Sequence, residues 1–486
     1  MPAFSLRSVL ILSIIAVCLL PVTAAANWIG GIEFDHPSPG YLPHGEYVYV
    51  TIDCKVDQPD GARLYAVPYT NGSVTPGYSY SLDSVPTGTS TASCYFSITS
   101  GEVMVDHVKI SMRSADNSTQ LLALFVRVKY VFGPYGIFNI QLSENDHSVL
   151  ANGDDLTVTC DYDTPGTENV IVFARPYTGG SLSSGYGASG GDPGPADGSA
   201  SQHFTFGSAD ADVDQIRIYI KNAANTEVLF EMFHDVDLAW RDVGVTNVAF
   251  SRPSPSMVHH EDNVDITFDY NNTTGEDVRI WFQPYEDGSY ASDGVYMGSP
   301  TVSPGTGSTA RYIGSTGNTH VNQAQIRVLR ISDEFILVDR PVPVDYTFAP
   351  HVVTDVVVSP EPPGLLDIGE VVHVDFNYRS DHPGDILIHA YPRHDGAGSA
   401  DGRSYGSAIY TTPTGTGDYE FFMVEGDADH YVDQIQFAFY TYPGIDFLSD
   451  WWADTTYMWG AAGTVALVPG FIPGNLVQVG PNYPNP

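Results

Sequence analysis

The chain has 486 residues, of which 43% are hydrophobic and 12% aromatic, and this composition excludes an intrinsically disordered protein. Its 20 basic and 58 acidic residues give a net charge of −38 that is spread along the whole chain, which argues against nucleic acid or anionic lipid as a partner. The length corresponds to three or four ordinary domains, so the organisation must be read from the internal pattern.

The segment 1–26 has the pattern of a cleaved secretory signal peptide. Arg7 precedes an apolar run that ends at Leu20, and alanines occupy positions 24–26. We therefore expect a mature chain that starts near Asn27 and is secreted or attached to the cell surface. A lipoprotein anchored at Cys18 is disfavoured, because the residue before it is too large. No later stretch reaches the roughly 18 consecutive apolar residues of a membrane span, so no transmembrane segment is expected.

One pattern then occurs four times, and a constant step of 108 in the numbering separates each copy from the last. Each copy contains an acidic residue that usually follows a glycine, and later a proline with a glycine four positions after it. The aligned positions are Glu46, Asp154, Asp262 and Glu370, then Pro68, Pro176, Pro284 and Pro392, then Gly72, Gly180, Gly288 and Gly396. We predict copy 1 over residues 27–133, copy 2 over 134–242, copy 3 over 243–349 and copy 4 over 350–460, followed by a linker over 461–486.

Each copy reads as a series of short strands. Apolar and polar residues alternate just after the acidic position, as in a strand with one buried face. A second strand precedes the proline, and the next dipeptide tolerates the positive φ angles of a type I′ hairpin turn. These dipeptides are Asn71-Gly72, Gly179-Gly180, Asp287-Gly288 and Asp395-Gly396. With about seven strands and no helical period per copy, we predict an all-β fold of four tandem immunoglobulin-like β-sandwich domains, each closing its own core as an independent bead.

Two resemblances extend this interpretation. The copies resemble bacterial immunoglobulin-like modules of cell-surface proteins over residues 30–460. The final run Asn482-Tyr-Pro-Asn-Pro486 resembles the segment that opens the C-terminal sorting region of cargo for the type IX (Por) secretion system. The second resemblance implies a Gram-negative-type envelope, export, and outer-surface attachment through a further C-terminal domain.

Three cysteines remain after removal of the signal peptide. Cys54 and Cys94 both occupy inward positions of copy 1, and an oxidising compartment would allow a disulfide bond that stabilises by about 2–4 kcal/mol. Cys160 aligns with hydrophobic residues of the other copies, which predicts a buried side chain. No pair of cysteines has the spacing of zinc ligands.

Calcium is the one cofactor that the sequence suggests. The alternating carboxylates of Asp210, Asp212 and Asp214 could converge on one hard cation, and a weaker echo lies at positions 427, 429 and 433. The alternative is that the acidic residues only keep the surface soluble. A further aligned set is expected on a solvated sheet face: Asp53, Asp161, Asp269 and Asn377.

A segment rich in Tyr, Gly and Ser follows the hairpin in every copy. Its tyrosines could contact an extracellular glycan or protein, because exposed aromatic rings stack on sugars and give adaptable contact surfaces. The alternative is a long sandwich loop with tyrosines at its edge. The candidate contact residues are Tyr78, Tyr186, Tyr296 and Tyr405.

The sequence favours a protein without catalytic activity. It contains no nucleophile elbow, zinc-helix motif or phosphate loop in a suitable context. We therefore expect a secreted or cell-surface scaffold or adhesion protein. The alternatives are a carbohydrate-binding accessory array of a secreted enzyme, and a secreted hydrolase that uses two acidic residues.

Overall fold

The computed structural model describes residues 27–191, 193–208, 210–298, 300–394, 396–398, 403–405, 409–423, 431–460 and 465–468. Every regular element in these ranges is a β-strand, which confirms the all-β class. The same ranges contain no helix of the length and apolarity needed to cross a bilayer. The signal peptide predicted over residues 1–26 lies outside the described residues.

The first two copies contain nineteen of the strands. Copy 1 has β1 (Trp28–Phe34), β2 (Gly40–Pro43), β3 (Val48–Val56), β4 (Ala62–Thr70), β5 (Ser73–Val74), β6 (Tyr78–Tyr80), β7 (Leu82–Val85), β8 (Gly88–Ile98), β9 (Val103–Ser114) and β10 (Gln120–Gly133). Copy 2 has β11 (Gly136–Leu142), β12 (Val149–Ala151), β13 (Asp155–Asp163), β14 (Val170–Thr178), β15 (Ser181–Leu182), β16 (Tyr186–Ala188), β17 (Asp197–Phe206), β18 (Ala211–Asn222) and β19 (Val228–Arg241).

The remaining strands belong to the second half of the chain. Copy 3 has β20 (Val243–Phe250), β21 (Ser256–His259), β22 (Asn263–Asn272), β23 (Val278–Glu286), β24 (Ser289–Tyr290), β25 (Gly294–Tyr296), β26 (Thr301–Val302), β27 (Gly305–Ser315), β28 (Thr319–Arg330) and β29 (Ile336–Ala349). Copy 4 has β30 (His351–Ser359), β31 (Gly364–Asp367), β32 (Val371–Ser380), β33 (Ile386–His394), β34 (Ala397–Gly398), β35 (Arg403–Tyr405), β36 (Ile409–Tyr410), β37 (Thr414–Phe422), β38 (Tyr431–Thr441) and β39 (Phe447–Gly460). Beyond it lies β40 (Val465–Val468).

All copies share one sandwich topology. In copy 1 the first sheet has the order β1-β3-β8-β6 and the second has the order β2-β10-β9-β4-β5. The corresponding strands of the other copies occur in the same two orders. Alternate residues of these strands point inward, and in β3 the buried set includes Val48, Val50, Ile52 and Cys54. The apolar side chains of the alternating pattern thus lie between the two facing sheets.

The hairpin turns have the backbone that their dipeptides predict. Asn71 and Gly72 have φ angles of 49° and 74°, and the turns at 179–180 and 287–288 also have two residues with positive φ. The flanking strands pair across the turn in antiparallel register, as Thr70 does with Ser73. In the fourth turn Gly396 has a φ of 71°, whereas Asp395 lies outside the described residues.

A β-bulge recurs in the first strand of every copy. The residue at its centre has a left-handed φ of 51–53°, and these residues are Gly31, Asn139, Asn247 and Asp355. Side-chain amides tie the bulge to the next strand: Asn139 donates to Asp161 at 2.9 Å, Asn247 donates to Asp269 at 2.9 Å, and Asn377 donates to Asp355 at 2.7 Å. The aligned set at 53, 161, 269 and 377 is therefore more than a solvated face, because three of its members hold a bulge.

The sheets continue from one copy into the next. Ile137 of β11 pairs with Tyr41 of β2, and Val149 of β12 pairs with Val245 of β20. Strand β1 of copy 1 pairs with β31 of copy 4, where Ile29 lies opposite Leu365. Strands β21 and β30 lie side by side between copies 3 and 4. Since copy 4 returns to copy 1, the four copies form a closed ring.

The prediction of independent beads is wrong for this reason. Each copy has its own main hydrophobic cluster, but the clusters recruit residues from neighbours. The core of copy 1 includes Leu365, Tyr431 and Met458 of copy 4, while Trp28 of copy 1 is buried in the core of copy 4. The repeat in the sequence predicts the four copies, but it does not predict the strand pairing between them.

Part of the predicted linker is also a strand. Strand β40 pairs in parallel with β10, where Val465 lies opposite Ala123 and Val468 opposite Val126. The segment after copy 4 thus adds a second contact to copy 1. The remaining residues of 461–486, including the sorting-like run, lie outside the described residues.

Candidate functional site: the junctions between copies

The aligned acidic position reaches across the ring junctions. The donor in each case comes from one position of the next copy, and these donor positions are aligned by the same constant step. The three pairs are Lys55 Nζ to Glu370 Oε1 at 2.8 Å, Arg379 Nη1 to Asp262 Oδ1 at 2.8 Å, and Asn271 Nδ2 to Asp154 Oδ1 at 2.9 Å. These carboxylates therefore join neighbouring copies.

The junction between copies 1 and 2 carries an acid at the donor position. Asp163 stands there, and Glu46 is the aligned acid that faces it. Burial raises the pKa of Glu46, His36 lowers it, and the charges of Asp35 and Asp163 raise it again. Burial likewise raises the pKa of Asp163. This junction therefore carries like charges where the other three carry a donor and an acceptor.

Asn27 and Asp367 connect copy 1 to copy 4. The backbone N–H of Asn27 donates to Asp367 Oδ2 at 2.8 Å, and its side-chain amide donates to the same oxygen at 3.0 Å. The side-chain oxygen of Asn27 accepts from the backbone of Asp57 at 3.0 Å. Burial raises the pKa of Asp367, although the two hydrogen bonds from Asn27 lower it.

Histidines of copy 3 and an aspartate of copy 4 meet at the next junction. Asp381 Oδ1 lies 2.8 Å from His259 Nε2, and its Oδ2 lies 2.6 Å from His260 Nε2. Burial acts to raise the pKa of Asp381, but the hydrogen bonds from His260 and His259 outweigh it and lower that pKa. Sequence reasoning missed this cluster, because the histidines and the aspartate are far apart along the chain and no local pattern links them.

Among the described residues, His259, His260 and Asp381 form a cluster of side chains that could act as metal ligands. The three atoms lie within 4.8 Å of one another. However, His259 Nδ1 accepts a 3.3 Å hydrogen bond from the backbone N–H of Glu261, so the neutral ring carries its proton on Nε2 and donates it to Asp381. These hydrogen bonds form a latch between copies 3 and 4 that needs no metal ion.

The predicted calcium ligands do not converge. Asp212 accepts from Arg241 at 2.8 Å and from Arg340 of copy 3 at 3.3 Å. Asp210 lies 3.9 Å from Arg241, whereas Asp214 accepts from the backbone of residue 179 at 2.7 Å. Asp210 and Asp212 therefore face guanidinium groups and do not share a space that a calcium ion could occupy with Asp214. Through Arg340, Asp212 also joins copies 2 and 3. Of the weaker echo, residues 427 and 429 lie outside the described residues.

Three of the four predicted contact tyrosines are half-buried against their own sandwiches. Tyr78 packs on the core of copy 1 and stacks on Tyr80 with ring centroids 5.6 Å apart. Tyr186 packs against the copy 2 core and Tyr296 against the copy 3 core. The backbone of Tyr405 lies in β35, and its side chain is outside the described residues.

A different tyrosine cluster is exposed, and sequence reasoning missed it. The ring of Tyr95 lies 4.6 Å from that of Tyr47 and 5.6 Å from that of Tyr49, centroid to centroid. Tyr47 and Tyr49 are 45% and 46% exposed, on the outer face of β3 and the turn before it. The positions equivalent to Tyr47 and Tyr49 are occupied by Asp155 and Thr157 in copy 2, Asn263 and Asp265 in copy 3, and Val371 and His373 in copy 4. The cluster is therefore specific to copy 1.

The predicted disulfide bond is not formed. Cys54, Cys94 and Cys160 are all free and buried. On paired strands β3 and β8, Cys54 lies opposite Ser90 and Cys94 lies opposite Val50. This offset of four positions corresponds to roughly 13 Å along the strands, whereas a disulfide needs Cα atoms about 4.4–6.8 Å apart.

Comparison with known proteins finds distant structural similarity alone. No family model and no curated protein matches the chain. Native alpha-2-macroglobulin of Escherichia coli is 8% identical, with a TM-score of 0.20, over 90% of this chain and 32% of that protein, so this chain spans about a third of its length. A marsupial T cell receptor is 12% identical, with a TM-score of 0.18, over 63% of this chain and 98% of that chain. At such scores neither match supports a functional argument.

The fold and its junctions define an all-β protein built from immunoglobulin-like β-sandwiches.

Proposed function

We propose that the protein is a non-catalytic scaffold or adhesion protein, secreted or held at the cell surface, whose four copies act as one rigid ring. The observation that carries this proposal is the contact at every junction, by strand pairing at three and by the His259–Asp381 latch at the fourth. Such an array presents its loops in fixed directions.

Short connections support rigidity. Strand β10 ends at Gly133 and β11 begins at Gly136, and the next two junctions leave a single residue between strands. Independent beads on linkers move relative to one another by default. Here the linkers are too short for such motion, and the paired strands oppose it.

The acidic surface and the two ends of the sequence suggest an extracellular location for the protein. A net charge of −38 favours an extracellular glycan or protein as partner over nucleic acid. The signal-like N-terminus and the resemblance of residues 482–486 to a type IX sorting segment support export and attachment through a further C-terminal domain. N-terminal sequencing of the exported protein tests this part: a start at Asn27 is expected.

Small-angle X-ray scattering tests the rigid ring. A compact chain of this size has a radius of gyration of about 23 Å, and a closed arrangement of the four copies is expected slightly above that value. Four beads of roughly 40 Å each, set end to end, would give a radius of about 45 Å. A value near the larger figure, or a broad distribution of dimensions, would remove the basis of the proposal.

Carbohydrate binding is the second candidate, because the exposed cluster of Tyr47, Tyr49 and Tyr95 is specific to copy 1. Adjacent aromatic rings on an outer sheet face can stack on sugar rings. A glycan array followed by calorimetry tests it. The variant Tyr49→Ala is expected to lose binding, while Tyr290→Ala, at an exposed tyrosine of copy 3, keeps it. Equal loss in both variants, or no binding by the unaltered protein, would dismiss this candidate.

A further inference from the structure

The buried carboxylate of Asp367 has one oxygen that is not satisfied. Asp367 Oδ2 accepts both hydrogen bonds from Asn27, at 2.8 and 3.0 Å. Asp367 Oδ1 is buried, and no group among the described residues donates to it. A buried acceptor left unpaired is unfavourable, because it has lost its hydrogen bonds to water. The site therefore lacks one donor, and a negative charge there lacks a cation.

The neighbouring charges do not supply that cation. Glu370 and Asp57 are both negative and raise the pKa of Asp367. Lys55 is a base of this junction, but its Nζ is 2.8 Å from Glu370. The side chain of Asn27, which lies against Asp367, is neutral and only 3% of the residue is exposed.

The other junctions provide an internal comparison. Asp367 ends the short strand that receives the first strand of the next copy, and the aligned residues are Pro43, Ala151 and His259. At those three junctions the chain runs directly from one copy into the next. Only at the junction of copies 4 and 1 does the receiving strand end in a carboxylate, and there the first strand begins at the expected start of the mature chain.

The structure assigns Asp367 as the binding site for the free α-amino group of Asn27, which removal of the segment 1–26 would create. This inference rests on the proposed export of the protein. Hydrolysis of the Ala26–Asn27 peptide bond by a signal peptidase consumes one water molecule, which leaves a carboxylate on Ala26 and an ammonium group on Asn27. The ammonium group has a positive charge and three N–H donors where the precursor has a single amide N–H. It can therefore bind Oδ2 and reach Oδ1 as well.

Processing would thus complete the contact that closes the ring. Asn27 N is already 2.8 Å from the carboxylate, so no rearrangement of β1 is required. An ion pair of this kind raises the pKa of the amine above its usual value of about 7.7–8.0. Its contribution to stability is present below that usual value and is lost as the pH rises through the raised pKa of the folded protein.

Four proteins test the assignment in a double-mutant cycle. One chain starts at Asn27, a second starts at Ala25, and each is prepared with Asp367 and with the substitution Asp367→Asn. The Asn27 chain is released from a fusion partner by a protease that leaves no extra residue. Thermal unfolding is measured at pH 6.5 and pH 10, and acylation of the α-amine by an activated ester is measured at pH 7.

The Asn27 chain is expected to unfold several degrees above the Ala25 chain at pH 6.5, and this gap should close in Asp367→Asn and at pH 10. Its α-amine should react about tenfold more slowly than that of the Ala25 chain, because a pKa raised by one unit lowers the fraction of free amine tenfold. Equal unfolding temperatures of the two chains with Asp367 intact, or equal acylation rates, overturn the assignment.

Scattering data on the same four proteins separate this inference from the proposed scaffold. A compact ring with no coupling in the cycle would overturn the α-amine site alone. An extended particle in all four proteins would overturn the scaffold proposal as well. An exported protein whose N-terminus lies elsewhere than Asn27 would also overturn the site while leaving the ring intact.

Discussion

The substitution Asp163→Lys is predicted to stabilise the protein by placing a donor opposite the aligned acid at the junction of copies 1 and 2, as at the other three junctions. Position 163 aligns with Lys55 and Arg379, which pair with Glu370 and Asp262 across their junctions. A lysine at position 163 would face Glu46 in the same way.

The expected gain is modest because the site is partly exposed. The Glu46 side chain is 32% exposed, so the new ion pair and the relief of repulsion together should contribute about 1 kcal/mol. If two neighbouring copies unfold as a unit, this corresponds to a rise of about 2–4 °C in melting temperature. The pKa values of Glu46 and Asp163 are raised in the folded protein, so their ionisation opposes folding above those values.

Urea unfolding at pH 7 and at about pH 5 measures the effect. The advantage of Asp163→Lys should be larger at pH 7, because protonation at low pH relieves the original protein of the same repulsion. Asp60→Lys, at an exposed turn residue of copy 1, makes the same change in net charge and serves as the control. The reasoning is refuted if both variants gain equally, or if the gain does not depend on pH.

Three further predictions concern the latch, the bulge and the thiols. Asp381→Ala should cost about 1–3 kcal/mol in chemical unfolding, because it leaves the buried His259 without its acceptor. Asn247→Ala should destabilise by about 1–2 kcal/mol because alanine disfavours a φ of 52°, whereas Asn247→Gly should lose less, and equal losses would contradict this account. Reducing agent should leave the melting temperature unchanged, and a thiol titration of the unfolded mature chain should find three free thiols, because Cys54 and Cys94 are not bonded.

Local features were predictable because they depend on local rules. The alternation after Glu46 and its equivalents defined buried strand faces, and the turn dipeptides defined hairpins whose positive φ angles the structure has. These signals depend on residues that are close in sequence. The constant step between the copies then supplied the same evidence four times over.

Contacts between copies were not predictable from the same pattern. The residue at the position facing the aligned acid is a lysine, an aspartate, an asparagine or an arginine, so no single residue type marks the position. The latch of His259 with Asp381 and the pair of Asn27 with Asp367 join residues that belong to different copies. Only the arrangement of the copies brings them together.

The calcium ligands and the disulfide bond differ from their predictions for physical reasons. Alternating aspartates from 210 to 214 suggested a cation site. In the structure, Arg241 and Arg340 form ion pairs with Asp212, and neither arginine is near it in the sequence. The inward cysteines suggested a bond, but a shared buried face does not fix the register that a bond requires.

Closure of the ring is tested most directly by zero-length cross-linking of the unaltered protein. A carbodiimide joins an amine to a carboxylate only when the two are in contact, and Lys55 Nζ lies 2.8 Å from Glu370 Oε1. In an extended string the two residues would be separated by roughly 100 Å of intervening copies. The closed ring predicts a cross-linked peptide containing Lys55 and Glu370 in the monomer at every protein concentration. Absence of that peptide, or its formation only in dimers, would contradict closure.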